Sequence, residues 1–409
     1  MVTYEKALET LQKAEALAQK ETSVDKALGY VCAQNIISST QVTPFRNSAV
    51  DGFAIVASQV KSAPAILDIV GRTAAGDLPA SGTGHGAWEI MTGGPLPSGY
   101  DTVMRLEQVN LLNEEAPRVP AKIRLNQTPI LGSNIRHPGE DFDIGDVLLE
   151  EGTRISSKEI MALTAAGFSK IDAFSKPRVS VLSTGNEIIN DTTKTLRPGQ
   201  IYNSNGPYLV NALKANSIEP RFLGTFDDDP DRFETELPKA LENSDIILST
   251  GGVSVGRFDF VPESLRRMGA EILFHGVSIR PGKPILYARF PNGTHYLGLS
   301  GNPISASVGL RFFGVPLIRA LTGLKPEKPL TAKLKNPHFK SHPHRFFAKA
   351  LAVQSKNGLE VEILKGQQSF KMKSFLEANC WAVIEENQFE MDSGEAVKIY
   401  PQVADQWQF

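Results

Sequence analysis

The stretch SDIILSTGGVSVG, residues 244–256, decides the fold. Its first half is a short apolar run, Ile246 to Leu248, and its second half is a turn of small hydroxyl residues and glycines. An apolar run of this length, cut off by a glycine turn, predicts a buried strand that delivers a loop. Two further segments end in the same way: LSTGNE at 182–187 and LSGNP at 299–303. Helical patterns lie between them. GPYLVNALKAN (206–216) predicts a helix starting at Ser204 or Asn205 with Pro207 near its first turn, and DRFETELPKALEN (231–243) predicts one interrupted or kinked at Pro238. EPRFLGTFDDD (219–229) reads as another strand, and a last helix opens at Asn302 and Pro303. Strands alternating with helices predict an α/β domain with a largely parallel sheet over about 176–325.

Outward from this block the pattern changes. Residues 3–20 predict an amphipathic helix through Leu8, Leu11 and Leu17, and Ser23 caps an expected second helix carrying Leu28, Val31 and Cys32. From about 40 to 145, short β-type runs such as AILDIVGRT and DTVMRLEQVNLL alternate with glycine and proline, which predicts a β-rich domain. SSKEIMALTAAGF (156–168) predicts a helix opened by Ser156 or Ser157 and closed by Gly167. Beyond a Pro/Lys linker at 322–329, the runs KALAVQ, EVEILK, WAVIEE and AVKIYP predict a small β-barrel or sandwich.

Composition excludes some functions. The 409 residues carry 43 basic and 45 acidic side chains, which argues against a nucleic-acid surface, so an anionic ligand needs a local cluster of cations. Cys32 and Cys380 are far apart and form no metal-type spacing, as expected of a reducing, cytoplasmic setting. The charged opening MVTYEKALETLQKAEALAQKE has no apolar core of a secretory signal. The most apolar stretch, VGLRFFGVPLIRAL (308–321), is broken by Arg311, Pro316 and Arg319, so no membrane span is expected.

Ligands of open parallel sheets bind beyond the carboxyl ends of the strands. There Gly251, Gly252 and Gly256 allow backbone N–H groups to approach a phosphate, and Ser249, Thr250 and Ser254 add hydroxyls. Tight turns and helix caps are the plainer reading of any one such loop; three on one domain favour a site. The loop is neither a Walker A motif nor GxGxxG. Glu187 closes the first loop, Asp259 follows Gly256, and Asp227, Asp228 and Asp229 follow the second strand. Carboxylates beside a phosphate loop suit Mg²⁺, although the Asp run alone reads as a solvated turn. SIRPGKP (278–284) supplies Arg280 and Lys283, and TGGPLPSGYDTV (92–103) supplies Thr92. His338, His342 and His344 in HFKSHPHR suit an exposed loop better than a metal site, given their proline and basic neighbours. RNSAVDGFAI (46–55) places Asp51 beside Gly52 at the entrance to a strand, where a turn aspartate is the plain reading.

Seven motifs together resemble the molybdopterin molybdenumtransferases, the MoeA family, to which the C-terminal half of gephyrin is related. In order they are PFRNSAVDGFAI, IMTGGPLPSGYDTVMRLEQ, IRHPGEDFDIGDVL, VLSTGNEI, ILSTGGVSVGRFDFV, IRPGKPILYA and LGLSGNPISA, and the likeness runs from about residue 3 to 400. The resemblance implies an elongated multidomain α/β-plus-β chain in four parts. These are a discontinuous helical domain (1–40 with 146–175), an inserted β-rich domain (41–145), an α/β molybdopterin-binding domain (176–325) and a barrel-like C-terminal β domain (326–409). It implies that adenylylated molybdopterin and molybdate are the substrates, that AMP is released, and that Mg²⁺ is required. It also implies a homodimer whose site lies between the α/β domain of one subunit and the β domain of the other. An adenylyltransferase of the same pathway is an expected partner; nucleic acid and membrane are not.

Carried over by motif, the catalytic positions are Asp51, Thr92, Glu187 and Asp259, with Glu187 and Asp259 at the metal. The substrate-binding positions are Arg136, Asp228, Thr250, Gly251, Gly252, Ser254, Arg280, Lys283, Ser300, Asn302 and Pro303, with Asp141 near the same cleft. Some residues depart from the family pattern: Val50 for Met, Gly94 for Ala, Ser300 for Pro, Arg280 for Lys, and Arg257 where an acid is common. Arg257 keeps open an alternative, a catalytically weak or inactive member acting as a molybdopterin-binding or scaffold protein. A different nucleotide-dependent hydrolase on the same α/β domain is a second alternative.

Overall fold

The computed structural model describes residues 1–112, 122–253, 260–356 and 358–406. The chain is a multidomain α/β and β assembly with few helices. Its α/β part is a six-stranded sheet in the order Arg221–Phe226, Val179–Thr184, Ile246–Thr250, His295–Leu299, Leu286–Arg289, Glu271–His275. The first four strands run parallel and the last two pairings are antiparallel. Val179–Thr184, Ile246–Thr250 and His295–Leu299 are buried along their whole length, as central parallel strands covered on both faces must be.

Side chains alternate across a strand, and here the alternation divides two cores. Val179, Val181, Ile246, Leu248, Leu297 and Leu299 face helices Asn205–Ala215 and Pro303–Leu321 through Leu209, Leu213, Ile304 and Val308. Leu182, Ile247 and Tyr296 face helices Pro230–Leu241 and Val261–Arg267 through Phe233, Leu237 and Leu265. The result is a three-layer sandwich.

Pro303–Leu321 is the one helix among the described residues long and apolar enough to cross a membrane, yet 83% of its most apolar window is buried inside the fold. Arg311 and Arg319, which interrupt its hydropathy, are used internally. Arg311 donates to the Pro401 carbonyl at 2.8 Å and pairs with Glu327 at 2.7 Å, and Arg319 pairs with Asp405 at 2.5 Å.

The N-terminal segment departs from the helical expectation. Its helix spans Tyr4–Gln12, capped by the Thr3 hydroxyl. Tyr4, Ala7 and Leu11 join the core under the α/β sheet, with Tyr4 edge-on to Phe313 and Phe347. Gln19–Ser23 is then a strand paired with Lys170–Phe174. The second expected helix is a single turn, Val24–Lys26. Gly29, at φ +75°, turns the chain, and Val31–Cys32 pairs with Lys170–Phe174 as well. Tertiary strand pairing overrides the local helical spacing here. The helix Ser157–Ala165 forms as expected, closed by a capping box between Ser156 and Glu159 and by Gly167 at φ +83°.

Residues 47–136 hold a curled sheet in the order Thr102–Arg105, Gly52–Ile55, Ala87–Ile90, Ala65–Thr73, Lys122–Leu125, Val109–Leu112. The long strand Ala65–Thr73 pairs with Lys122–Leu125 along its first half and with Ala87–Ile90 along its second. In the C-terminal part five strands close into a barrel: Arg345–Ser355, Gly358–Ile363, Leu330–Leu334, Ala396–Pro401 and Cys380–Ile384, the last pairing back with the first. Closure removes the sheet edges. Ile279–Arg280, from the α/β part, adds in parallel to Arg345–Phe346 of this barrel. That pairing, with a core shared through Phe312, Phe347 and Trp381, holds the barrel beside the ends of the parallel strands.

Candidate active site

A cleft of about 1060 Å³ lies where the loops at the carboxyl ends of the parallel strands meet the barrel. Its α/β wall is built by backbone geometry. Gly251 has φ +93°, and a Cβ there would stand 2.6 Å from the Thr184 carbonyl oxygen, so only glycine lets the turn after Ile246–Thr250 lie against the neighbouring strand. Its N–H donates to the Leu299 carbonyl at 3.0 Å, so this amide ties two strand ends together and is not free for a phosphate, contrary to expectation. Thr250 is likewise turned inward: its hydroxyl donates to Ser183 Oγ at 3.3 Å.

The acids are held by their loops. At Gly185 a Cβ would meet the Glu187 carboxylate at 2.7 Å, so the glycine leaves room for that side chain to fold over the turn. Asn186 and Asp228 lock the first two loops together: the Asn186 N–H donates to Asp228 Oδ2 at 3.3 Å and the Asp228 N–H to Asn186 Oδ1 at 3.2 Å. The run of three aspartates is therefore divided in labour. Asp227 pairs with Arg232, Asp228 lines the cleft, and Asp229 caps the helix Pro230–Leu241. Glu187 and Asp228 are exposed to the cleft and make no salt bridge among the described residues. Arg280 and Lys283, also exposed and without a salt bridge among the described residues, line the same cleft. Ser300, Asn302 and Pro303 complete this wall, Asn302 at the start of the buried helix.

Hard carboxylate oxygens free of salt bridges among the described residues, lining a cleft roomy enough for a phosphorylated ligand, fit a Mg²⁺ ion, which takes one or two carboxylates and completes its shell with substrate oxygens and water. Glu187 meets that requirement, with Asp228 beside it. Ser254 and Asp259, together with Arg257, lie outside the described residues.

Asp51, Thr92, Arg136 and Asp141 are not among the residues lining the cleft. Asp51 and Thr92 form a second constellation at the edge of the curled sheet. Asp51 Oδ1 accepts from the Thr92 N–H at 2.7 Å and from its hydroxyl at 2.9 Å. These two donors, the amide first, hold the Asp51 carboxyl below the usual carboxylate range. Arg136 is brought opposite Asn47 by the pairing of Ile135–Arg136 with Asn47–Ser48, while Asp141 sits apart on an exposed turn beside Val42. Asp51 is thus a built acid, fixed at the entrance of Gly52–Ile55 by a neighbouring loop, and more than a local turn residue.

The sequence reading missed the opposite wall. The barrel contributes His338 to His342 and Gln367 to Phe370. The three histidines are half-buried, while Phe339, Ser341 and Pro343 between them are exposed. His344 Nδ1 meets Ser278 Oγ at 2.9 Å, and His342 packs edge-on against Phe346 with its Nδ1 buried and without a hydrogen-bond partner among the described residues. Burial, then the charges of Arg280 and Lys340, pull His342 down to about 4, so it is neutral near pH 7. The only signal in the sequence was the density of ring and basic residues in HFKSHPHR.

A molybdopterin molybdenumtransferase of Haemophilus influenzae is 32% identical over 390 residues, 93% of each chain, and one of Synechococcus elongatus is 34% identical over 378 residues, 90% of each. The chain belongs to the MoeA family. Its parts match three family descriptions: the MoeA N-terminal region (domain I and II) over residues 2–167, a probable molybdopterin binding domain over 180–320, and the MoeA C-terminal region (domain IV) over 331–402. Two solved structures of the molybdopterin biosynthesis MoeA protein from Pyrococcus horikoshii superpose along almost the whole chain. One has a TM-score of 0.78 at 31% identity, covering 100% of both chains; the other has 0.80 at 27%, covering 98% and 99%. Within this MoeA fold, the cleft spans the molybdopterin-binding and C-terminal regions, and the Asp51 constellation belongs to the N-terminal one.

Proposed function

We propose that the cleft receives adenylylated molybdopterin and molybdate, releases AMP, and leaves molybdenum on the dithiolene. The coarser activity comes with the family: the chain is a transferase of molybdenum cofactor biosynthesis that inserts molybdenum into molybdopterin. The observation that carries the finer reading is the meeting, in one cleft, of carboxylates, Glu187 and Asp228, and cations, Arg280 and Lys283, none of them in a salt bridge among the described residues. Releasing AMP requires water to add to the AMP phosphorus as the phosphoanhydride P–O bond breaks, the bridging oxygen leaving on the molybdopterin phosphate; Arg280 and Lys283 stabilise the charge that builds on these oxygens. Glu187, with Asp259 by motif, holds Mg²⁺, which when bound supplies further positive charge at those oxygens.

The same reading assigns Asp51 and Thr92 to the site of a partner subunit. They stand outside the cleft of their own chain, and a homodimer supplies them in trans. The division into 1–40 with 146–175, 41–145, 176–325 and 326–409 is the proposed domain scheme, with the helix Tyr4–Gln12 packed under the α/β sheet. A cytoplasmic setting and supply of the substrate by an adenylyltransferase complete the proposal. The test is AMP release from adenylylated molybdopterin with and without molybdate and Mg²⁺. A chain that binds this substrate but never releases AMP would be the scaffold member instead.

A further inference from the structure

Two side chains at the rim of the cleft have no evident structural purpose. Phe339 is 65% exposed and Phe370 is 62% exposed. Both line the cleft, and both come from the barrel. A single exposed apolar residue is ordinary. Two phenylalanines on one polar cleft are not, and neither ring packs against another aromatic ring among the described residues. The contrast is Phe346, only 7% exposed in the same wall, whose ring is already covered by His338 and His342.

The backbone carrying each exposed ring is pinned, and in both cases by a buried lysine. Lys349, 1% exposed, donates its ammonium to the carbonyls of Gly366 at 2.7 Å, Lys371 at 2.9 Å and Gln368 at 3.4 Å, on both sides of Phe370. The Ser369 carbonyl is held in turn by the Ile304 N–H at 3.0 Å. Lys340, 2% exposed and adjacent to Phe339, donates to the carbonyls of His344, at 2.9 Å, and Glu385. Its own N–H donates to the Phe389 carbonyl at 2.7 Å, in line with the pairing of Phe339 opposite Glu390. A buried ammonium without a salt bridge is costly. Both lysines spend their donors on fixing loops, and the loops so fixed present a bare aromatic ring to the cleft.

We propose that Phe339 and Phe370 are stacking platforms for the flat nitrogen heterocycle of the substrate, adenine or pterin, an inference that rests on the substrate assigned above. Stacking needs an uncovered aromatic face held in place before the ligand arrives, and a rigid platform loses little entropy on binding. The α/β wall offers charge and hydroxyls for phosphate and oxyanion; the barrel wall offers flat apolar faces. Together they divide a nucleotide- or pterin-phosphate into its two chemical halves.

The experiment uses the full chain and three probes: AMP, 6-hydroxymethylpterin and molybdate, titrated by calorimetry into wild type, Phe339→Ala, Phe370→Ala and Phe370→Tyr. Loss of stacking weakens a ring-bearing probe by about five- to a hundredfold, the range measured for base–aromatic stacks. The expected result is that weakening for AMP, for the pterin, or for both, with molybdate binding unchanged and Phe370→Tyr close to wild type. Loss for AMP alone assigns the adenine, and loss for the pterin alone assigns the pterin. Alanine variants that bind both ring probes like wild type would overturn the platform while leaving the proposed substrate intact. Equal loss of molybdate would also overturn it, since the rings would then only be shaping the loops. A wild type that binds molybdate but neither ring probe would overturn the assigned substrate and this inference together.

Discussion

Gly251→Ala isolates the geometry on which the cleft is built. The residue sits at φ +93°, and an added Cβ would stand 2.6 Å from the Thr184 carbonyl oxygen and 2.7 Å from the Thr184 hydroxyl. A non-glycine residue in the left-handed region costs about 1–2 kcal/mol. The clash is a separate cost, because its partner is backbone at the end of a fully buried central strand. Relief requires the turn to move by more than half an ångström, to judge from ordinary contact distances of about 3.5–4 Å. Such a shift stretches the 3.0 Å bond from the Gly251 N–H to the Leu299 carbonyl, a further loss of about 1 kcal/mol. The local penalty is therefore about 2–4 kcal/mol.

The control is Gly269→Ala, which has a similar φ of +83° but open space where its Cβ would go; it should cost only the conformational part, about 1–2 kcal/mol. Hydrogen exchange of the Ile246–Thr250 amides should report the difference locally. AMP release should fall about 10²-fold in Gly251→Ala alone, the scale expected when a site is displaced by about 1 Å. If the two variants match in exchange protection and in turnover, the close approach at Thr184 does not shape the site.

Four other outcomes follow from the geometry. Glu187→Gln should lower AMP release about 10²–10³-fold, the scale of losing one oriented electrostatic group, with partial recovery in excess Mg²⁺; full activity at limiting Mg²⁺ would remove it from the metal. Asp51→Asn and Glu187→Gln subunits, each inactive alone, should regain about a quarter of wild-type turnover when mixed as a shared-site homodimer; no recovery on mixing would place both acids in one subunit's site. Lys349→Met should leave the three carbonyls of Gly366, Gln368 and Lys371 without their donor and destabilise the barrel by about 1.5–3 kcal/mol for the better bonds, read from urea unfolding. His342, beside Arg280, Lys340 and His344, and the more deeply buried His295 are both pulled down to about 4 by burial. The unfolded chain then binds more protons between pH 4 and 6.5, so stability should rise with pH across that window and level off above it. Urea midpoints should show a shallower rise in His342→Gln.

The sheet was legible because burial on both faces writes one pattern. A central parallel strand covered on both faces favours apolar residues, so Val179–Thr184, Ile246–Thr250 and His295–Leu299 read as largely apolar runs, and polar residues they bury, such as Ser180 and His295, are hydrogen-bonded inside the fold. The N-terminus was not legible for the opposite reason. Gln19–Ser23 is polar at all five positions and pairs with a strand some 150 positions away, so nothing local announces it. Leu17 keeps the helical spacing of Leu8 and Leu11, yet the helix stops at Gln12. Its buried stripe is Tyr4, Ala7 and Leu11; Ala14 and Leu17 reach the same core from non-helical chain, where the Leu17 N–H donates to the Leu321 carbonyl at 2.8 Å.

The site divides along the same line. Residues that act from a strand end are fixed by their own loop, and their motif carries the geometry: Gly185 beside Glu187, Gly251 against Thr184. The barrel wall carries no such local signature. It is tied to the α/β part by the pairing of Ile279–Arg280 with Arg345–Phe346 and by a shared core through Phe312, Phe347 and Trp381, and its loops are shaped by Lys340 and Lys349 acting across the barrel. A lysine in sequence reads as surface charge; only the fold turns these two inward and makes them struts. The same pairing sets Arg280 near His342, so the basic turn that the sequence offered as an anion site and the histidine loop that it set aside line one cleft from its two sides. A variant that uncouples Ile279–Arg280 from the barrel should therefore lose ring-bearing and anionic probes together, whereas a change at Phe370 should lose only the ring.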